Sequence, residues 1–219
     1  MTLDLGLLER WLTGWSLARG LPLPQPYGGG LVVEVGWPEQ VRRHVFVEAG
    51  PALQACAARI RDPFIYLKAA VEPAHLRRAL PAPWQIEQPR YLMCSTAPMT
   101  PVPVPAGYAV QATVEHGASV IRLVDATTGQ TAAMGRVVMH GASAVFDRIE
   151  TQEAHRRKGL GTSVMSALDD LAKQAGVSER LLVATEAGCA LYQRLGWRVV
   201  APYATAVLPA SSFTDPATP

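Results

Sequence analysis

The sequence predicts an α/β (α+β) fold, and three observations lead there. Four β-prone runs follow one another from Tyr108 to Thr151, with glycine in each turn. An amphipathic helical stripe begins at Leu160. A short buried-strand candidate, a second helix and two further strand candidates complete the chain to Leu208.

The meander is read from the runs 108–115, 119–125, 131–140 and 143–151. Gly117, Gly129 and Gly141 supply the turns, and short glycine turns between β-prone runs indicate antiparallel pairing. After it, Leu160, Val164, Met165, Leu168, Leu171, Ala172 and Ala175 share one helical face, with Gly176 placed to end the helix. Residues 181–185 read as a strand. Ala187, Ala190, Leu191 and Leu195 mark a helix stopped at Gly196, and strands are expected at 198–200 and 205–208.

Residues 1–95 read as a separate α+β region. Leu3 to Ala18 is an amphipathic helix; 31–35 and 44–48 are valine-rich runs suited to a hairpin; 52–60 and 74–80 are helices flanking a strand at 64–69. Prolines at 98, 101, 103 and 105 make residues 96–107 an extended linker, and the domain boundary is placed there. The second domain then covers 108–210, and 211–219 is expected to be a disordered tail.

Composition narrows the function. Apolar residues make up 49% of the 219 positions, which is enough for a real core. Twenty basic and eighteen acidic residues leave a net charge of +2, which gives no reason to expect nucleic acid or a membrane surface as partner. Cys56, Cys94 and Cys189 are far apart, and the five histidines lack ligand spacing, so no metal site is expected. The odd cysteine count, and charges at Asp4, Glu9 and Arg10 within the first apolar stretch, point to a cytoplasmic protein without a secretory signal.

The chemistry is carried by Arg156-Arg157-Lys158-Gly159-Leu160-Gly161-Thr162, which joins the last meander strand to the long helix. A helix N-terminus presents backbone N–H groups without partners, and its dipole favours negative charge. Two glycines let an anion approach the backbone, and three cations stand beside it. Neither a P-loop nor a dinucleotide-binding G-x-G-x-x-G pattern is present.

Arg156-x-x-Gly159-x-Gly161 resembles the [RQ]-x-x-G-x-[GA] pyrophosphate loop of the GNAT superfamily of acetyltransferases. Ala190-Leu191-Tyr192-Gln193-Arg194-Leu195-Gly196-Trp197 is similar to the A-L-Y-x-x-x-G-[FW] signature of the same superfamily. The resemblance covers about 100 residues, from Tyr108 to Leu208. It implies a mixed, mostly antiparallel sheet flanked by helices, and transfer of an acetyl group from acetyl-CoA to an amine. It also implies that coenzyme A lies where two strands splay apart. Ile149, Glu150 and Thr151 would pair with the pantetheine arm, Arg157 to Thr162 (with Arg156) would hold the pyrophosphate, and Tyr192 would protonate the departing thiolate.

The general base is less defined. Asp147 and Glu150 are three apart on one strand, so regular alternation puts them on opposite faces, and Glu186 is a third candidate. Each carboxylate can equally be a solvated or ion-paired side chain. One departure from the family stands out: only His116, Gly117 and Ala118 separate the first two meander strands, so the helices that usually cover the acceptor are absent there. The N-terminal half is expected to cover it instead, with Trp37, Tyr66 and Trp84 as candidate lining. Whether that half is a degenerate second unit is open, because it contains no pyrophosphate loop. The partners expected are coenzyme A and a small amine acceptor, with a homodimer open. Alternatives are a non-catalytic acyl-CoA-binding module and a protein or peptide N-acetyltransferase.

Overall fold

The computed structural model describes residues 3–210, so the expectation for 211–219 lies outside the described residues. The chain opens with α1 (Leu5–Leu17), capped by the Asp4 carboxylate, which accepts from the Leu7 N–H at 2.7 Å. Strands β1 (Gln25–Tyr27), β2 (Gly30–Trp37) and β3 (Gln40–Phe46) follow, then α2 (Pro51–Arg59), β4 (Ile65–Ala69), α3 (Pro73–Ala79), β5 (Gln85–Ile86) and β6 (Arg90–Ser95). Both α2 and α3 begin with proline, whose missing N–H costs nothing in a first turn. The second half contains β7 (Tyr108–Glu115), β8 (Ala118–Asp125), β9 (Thr131–His140), β10 (Ser143–Thr151), α4 (Leu160–Gln174), β11 (Glu179–Thr185), α5 (Glu186–Arg194), β12 (Arg198–Pro202) and β13 (Ala204–Val207).

Two sheets result, with orders β1-β2-β3-β4-β13-β5 and β12-β6-β11-β10-β9-β8-β7. They exchange a strand. β6 precedes the proline-rich segment, yet it pairs with β11 and β12 in the second sheet. β13 is the last strand of the chain, yet it pairs with β4 and β5 in the first. The proline-rich segment therefore separates the halves in sequence, while the hydrogen-bonded sheets run across it.

The two sheets also share a plan. In each, an antiparallel hairpin leads through a helix to a parallel strand: β3-α2-β4 in the first, β10-α4-β11 in the second. Beyond the parallel strand comes the strand from the other half, then a last antiparallel strand. The N-terminal half is thus a topological repeat of the C-terminal one. It is not a second cofactor cleft. β3 and β4 pair over five residues, from Arg42↔Ile65 to Phe46↔Ala69, and stay together to the end of β3.

Helices α4 and α5 cover one face of the second sheet, where Val164, Met165, Leu168 and Tyr192 pack with Phe146, Leu182 and Trp197. Helix α1 covers the other, where Leu8, Trp11, Leu12 and Trp15 pack with Leu92, Val145 and Leu181 and with Val33, Val35 and Val45 of the first sheet. The face left open by the short β7–β8 turn is thus covered by α1. The proline-rich segment lies along α4. Met99 N–H donates to Asp169 at 2.7 Å, Val102 N–H donates to Ser166 Oγ at 2.9 Å, and Ser163 Oγ donates to the Pro103 carbonyl at 3.0 Å. Residues 163, 166 and 169 recur every three positions, so one helix face fixes the extended chain. Among the described residues, no helix is long and apolar enough to cross a membrane.

Candidate active site

The loop before α4 takes the form that an anion site needs. Gly159 is the N-cap of α4 at φ 82°, a left-handed conformation that glycine adopts without strain. No side chain caps this end and no acidic residue occupies its first turn, so the N–H groups of Leu160, Gly161 and Thr162 remain available to a ligand. Gly161 has no positive φ, and a Cβ there would meet Leu191 and Thr151 at ordinary distances of 3.5 and 3.6 Å. Arg156, Arg157 and Lys158 are exposed. Arg156 Nε donates to the Thr151 carbonyl at 3.3 Å, and Lys158 Nζ to the Tyr108 hydroxyl at 3.4 Å, which anchors both cations beside the helix end.

Next to this loop the sheet opens. β10 and β11 pair as parallel strands only at Ser143↔Glu179, Ala144↔Arg180 and Val145↔Leu181. β10 continues to Thr151 and β11 to Thr185 without pairing to each other, so their facing edges present free main-chain groups. Ile149, Glu150 and Thr151 lie on that free edge of β10.

The same strand contains a bulge that corrects the expected placement of the carboxylates. Asp147 pairs with Arg136 and Glu150 with Met134, so two residues of β10, Arg148 and Ile149, stand opposite the single residue Gly135. Arg148 takes φ 50°. The extra residue shifts the alternation, and because Arg136 and Met134 are two apart on β9, Asp147 and Glu150 share one face. Their surroundings differ. Asp147 is held by Arg19 at 2.8 Å, with Arg136 at 4.0 Å, and is mostly buried. Glu150 is exposed and forms no ion pair among the described residues. Glu186 is exposed at the first turn of α5.

Tyr192 sits on α5 on the opposite face, with its ring 6.2 Å from that of Trp197. Burial raises its phenol pKa above the ordinary tyrosine value. Phe146 connects the two faces: its ring packs edge-on against Trp197 at 5.2 Å and also borders the cavity on the other side of the sheet.

That cavity, of roughly 290 Å³, lies between the two sheets at the mouth of the splay. Phe146 and Asp147 of β10 and Val183 of β11 form its floor. Of the three candidate aromatics, Trp37 and Tyr66 line this cavity, whereas Trp84 is buried in the core between α2, α3 and β13 and does not reach it. The polar wall formed by Arg19, Arg43, Lys68, Glu87 and Tyr203 was not anticipated from sequence. One signal was available for two of these. Lys68 interrupts the apolar run of β4, and Arg43 takes the position between Val41 and Val45 on alternate residues of β3, where a charged residue breaks the alternation.

Residues 74–197, more than half of the chain, match the profile of the Acetyltransferase (GNAT) family. The chain belongs to the GNAT acetyltransferase family. No curated protein sequence matches it. Its fold is similar to that of a GCN5-related N-acetyltransferase from Kribbella flavida, at TM-score 0.68 and 14% identity, over 98% of this chain and 99% of that one. A GCN5-related N-acetyltransferase-like protein from Streptococcus suis is similar at TM-score 0.58 and 11% identity, over 93% and 98%. A GCN5-related N-acetyltransferase from Sphaerobacter thermophilus gives TM-score 0.57 and 11% identity, over 82% and 76%. GNAT proteins generally use acetyl-CoA, and this chain fits that group. The uncapped α4 N-terminus suits a diphosphate, and the free edge of β10 suits an extended amide-bearing arm.

Proposed function

We propose that the protein transfers an acetyl group from acetyl-CoA to the primary amine of a small acceptor, by direct attack with both substrates bound. The carrying observation is the parting of β10 and β11 after Val145 and Leu181, which opens on one side to the loop at Gly159 and on the other to a polar cavity between the sheets. A pocket of roughly 290 Å³ lined by both halves of the chain has the size for a small acceptor.

Each residue has a definite task in this reading. The N–H groups of Leu160, Gly161 and Thr162, with Arg156, Arg157 and Lys158, hold the pyrophosphate. The main chain of Ile149, Glu150 and Thr151 pairs with the pantetheine arm. When bound, acetyl-CoA supplies an activated acyl carbonyl and a thiol leaving group. Tyr192, a neutral phenol at working pH, donates its proton to the sulfur. Glu150, solvated and unpaired, accepts the amine proton, directly or through water. Asp147 holds Arg19, and through it α1, against the floor of the cavity.

Thiol release from acetyl-CoA, measured against a panel of amines, amino acids and peptides, tests the reading. Tyr192→Phe should lower kcat about 100-fold, the lower part of the range for a general acid, while coenzyme A affinity by calorimetry is retained. Unchanged turnover in that variant would remove Tyr192 from the chemistry. Release with peptides alone would overturn the small-acceptor reading.

A further inference from the structure

Of the charges around the cavity, some compensate one another and some do not. Arg19 and Asp147 form a pair. Arg43 and Lys68 are only 7% and 6% exposed, and neither has a carboxylate within 4.0 Å among the described residues. Arg43 donates from Nη2 to Gln40 Oε1 at 3.3 Å, and its buried Nε has no partner. Its guanidinium lies 3.6 Å from the Trp15 ring centroid. Lys68 Nζ donates to Thr205 Oγ1 at 2.9 Å and lies 5.3 and 5.9 Å from the ring centroids of Tyr66 and Tyr203. Gln40 Nε2 and the Tyr203 hydroxyl, both bordering the same space, are likewise buried without partners.

A cation buried without a counter-charge is costly, and two side by side cost more. Burial pushes the Arg43 pKa down to about 10. Burial, and after it the charge of Arg43, pushes Lys68 well below the usual lysine value. The register explains why both point inward. Arg43 pairs with Tyr66 and Val45 with Lys68, so Arg43, Val45, Tyr66 and Lys68 share the face of the first sheet that looks onto α1. Arg43 stacks on Trp15 at the cavity wall and keeps an unpartnered Nε, and a guanidinium can grip a carboxylate through Nε and Nη with two parallel bonds.

We infer that the acceptor is an amino acid or a similarly small amine bearing a carboxylate, with the carboxylate held by Arg43 and Lys68. The inference rests on the acetyl-transfer reading for the fate of the amine, but the anion site stands on its own residues. Glu87, in the same wall, has no arginine or lysine partner within 4.0 Å among the described residues. It faces the acceptor's ammonium group before the proton leaves. A zwitterion satisfies both walls at once, whereas a plain amine leaves Lys68 with only the longer-range field of Glu87, and Arg43 with those of Glu87 and Asp147.

The test compares each amino acid with its decarboxylated amine: lysine with cadaverine, ornithine with putrescine, phenylalanine with 2-phenylethylamine. The acids should exceed the amines in kcat/KM by tenfold or more, the scale of one charge-assisted hydrogen bond. Arg43→Met should cut that acid-to-amine ratio at least tenfold without lowering the thermal midpoint, because it removes an unpaired buried cation. If Arg43→Met does not fold, Lys68→Met is read in the same way. Amines used as well as the acids, or a ratio unmoved by these variants, would overturn the inference and leave acetyl transfer standing. If nothing is acetylated, the transfer reading fails, and calorimetric titration of the same amino acids decides the anion site. Binding that is lost in Arg43→Met supports it, and absence of binding in the unaltered protein ends it.

Discussion

The imidazole of His44 lies on β3 beside the Tyr27 ring, with centroids 4.9 Å apart, and both its nitrogens are buried without a partner. Burial, reinforced by Arg42 and Arg59, lowers its pKa from 6.5 to about 4. Between those two values the unfolded chain binds a proton that the folded chain refuses. Stability is therefore undiminished above pH ~6.5 and falls as the pH drops toward ~4. At about 1.4 kcal/mol per unit, the loss reaches roughly 2 kcal/mol by pH 5. Urea midpoints at pH 7 and pH 5 should show it, and His44→Leu should flatten the dependence by about one proton. An unchanged slope would mean that the ring is hydrated and titrates normally. Site residues also differ in how far sequence can identify them. Gly159 could be recognised because a left-handed N-cap ahead of a helix selects glycine locally. The shared face of Asp147 and Glu150 could not, because the bulge turns on Arg148 at φ 50°, and arginine does not announce that conformation.

At the scale of elements, α1 walls the cavity proposed for the acceptor, and it can sit there because residue 14 lacks a side chain. A Cβ on Gly14 would overlap the Val145 side chain on β10. The helix is thereby seated directly on the last residue of β10 before the splay, with Trp11, Trp15 and Arg19 bordering the cavity. Gly14→Ala should cost about 1–3 kcal/mol through overpacking. It should also raise KM for the acceptor more than for acetyl-CoA, since the displaced helix touches only the acceptor side. A loss of stability with both KM values unmoved would show that α1 is a brace with no part in binding. The meander strands were legible to within a residue because Gly117, Gly129 and Gly141, all at positive φ, mark every turn. β6 was not. Leu92, Met93 and Cys94 are buried on both faces between β11 and β12, and a short continuous apolar run between prolines has no period to reveal it.

Across the whole molecule, the loop before α4 and the Tyr192 helix are local patterns, and local patterns survive in sequence. The cavity is assembled from α1, three strands of the first sheet, the start of β6, β10, β11 and Tyr203, which no spacing rule connects. The strand exchange brings these pieces together. Arg90 opens β6 in the second sheet, Tyr203 leads into β13 in the first, and the Tyr203 N–H donates to the Arg90 carbonyl at 2.7 Å where the two strands cross over. Lys68 then bonds to Thr205 on the exchanged strand itself. Neither sheet is complete without the other half of the chain. Removal of β6 would leave β11 and β12 with no strand between them, and removal of β13 would do the same to β4 and β5. The protein should therefore unfold in one cooperative calorimetric transition, with its van't Hoff and measured enthalpies equal. Residues 1–95 and 96–219 expressed separately should each lack a native fold, whereas the two mixed or coexpressed should pair through the exchanged strands and recover coenzyme A binding. If residues 96–219 folded alone and bound acetyl-CoA with unaltered affinity, β6 would be dispensable to the second sheet, and the halves would be independent units.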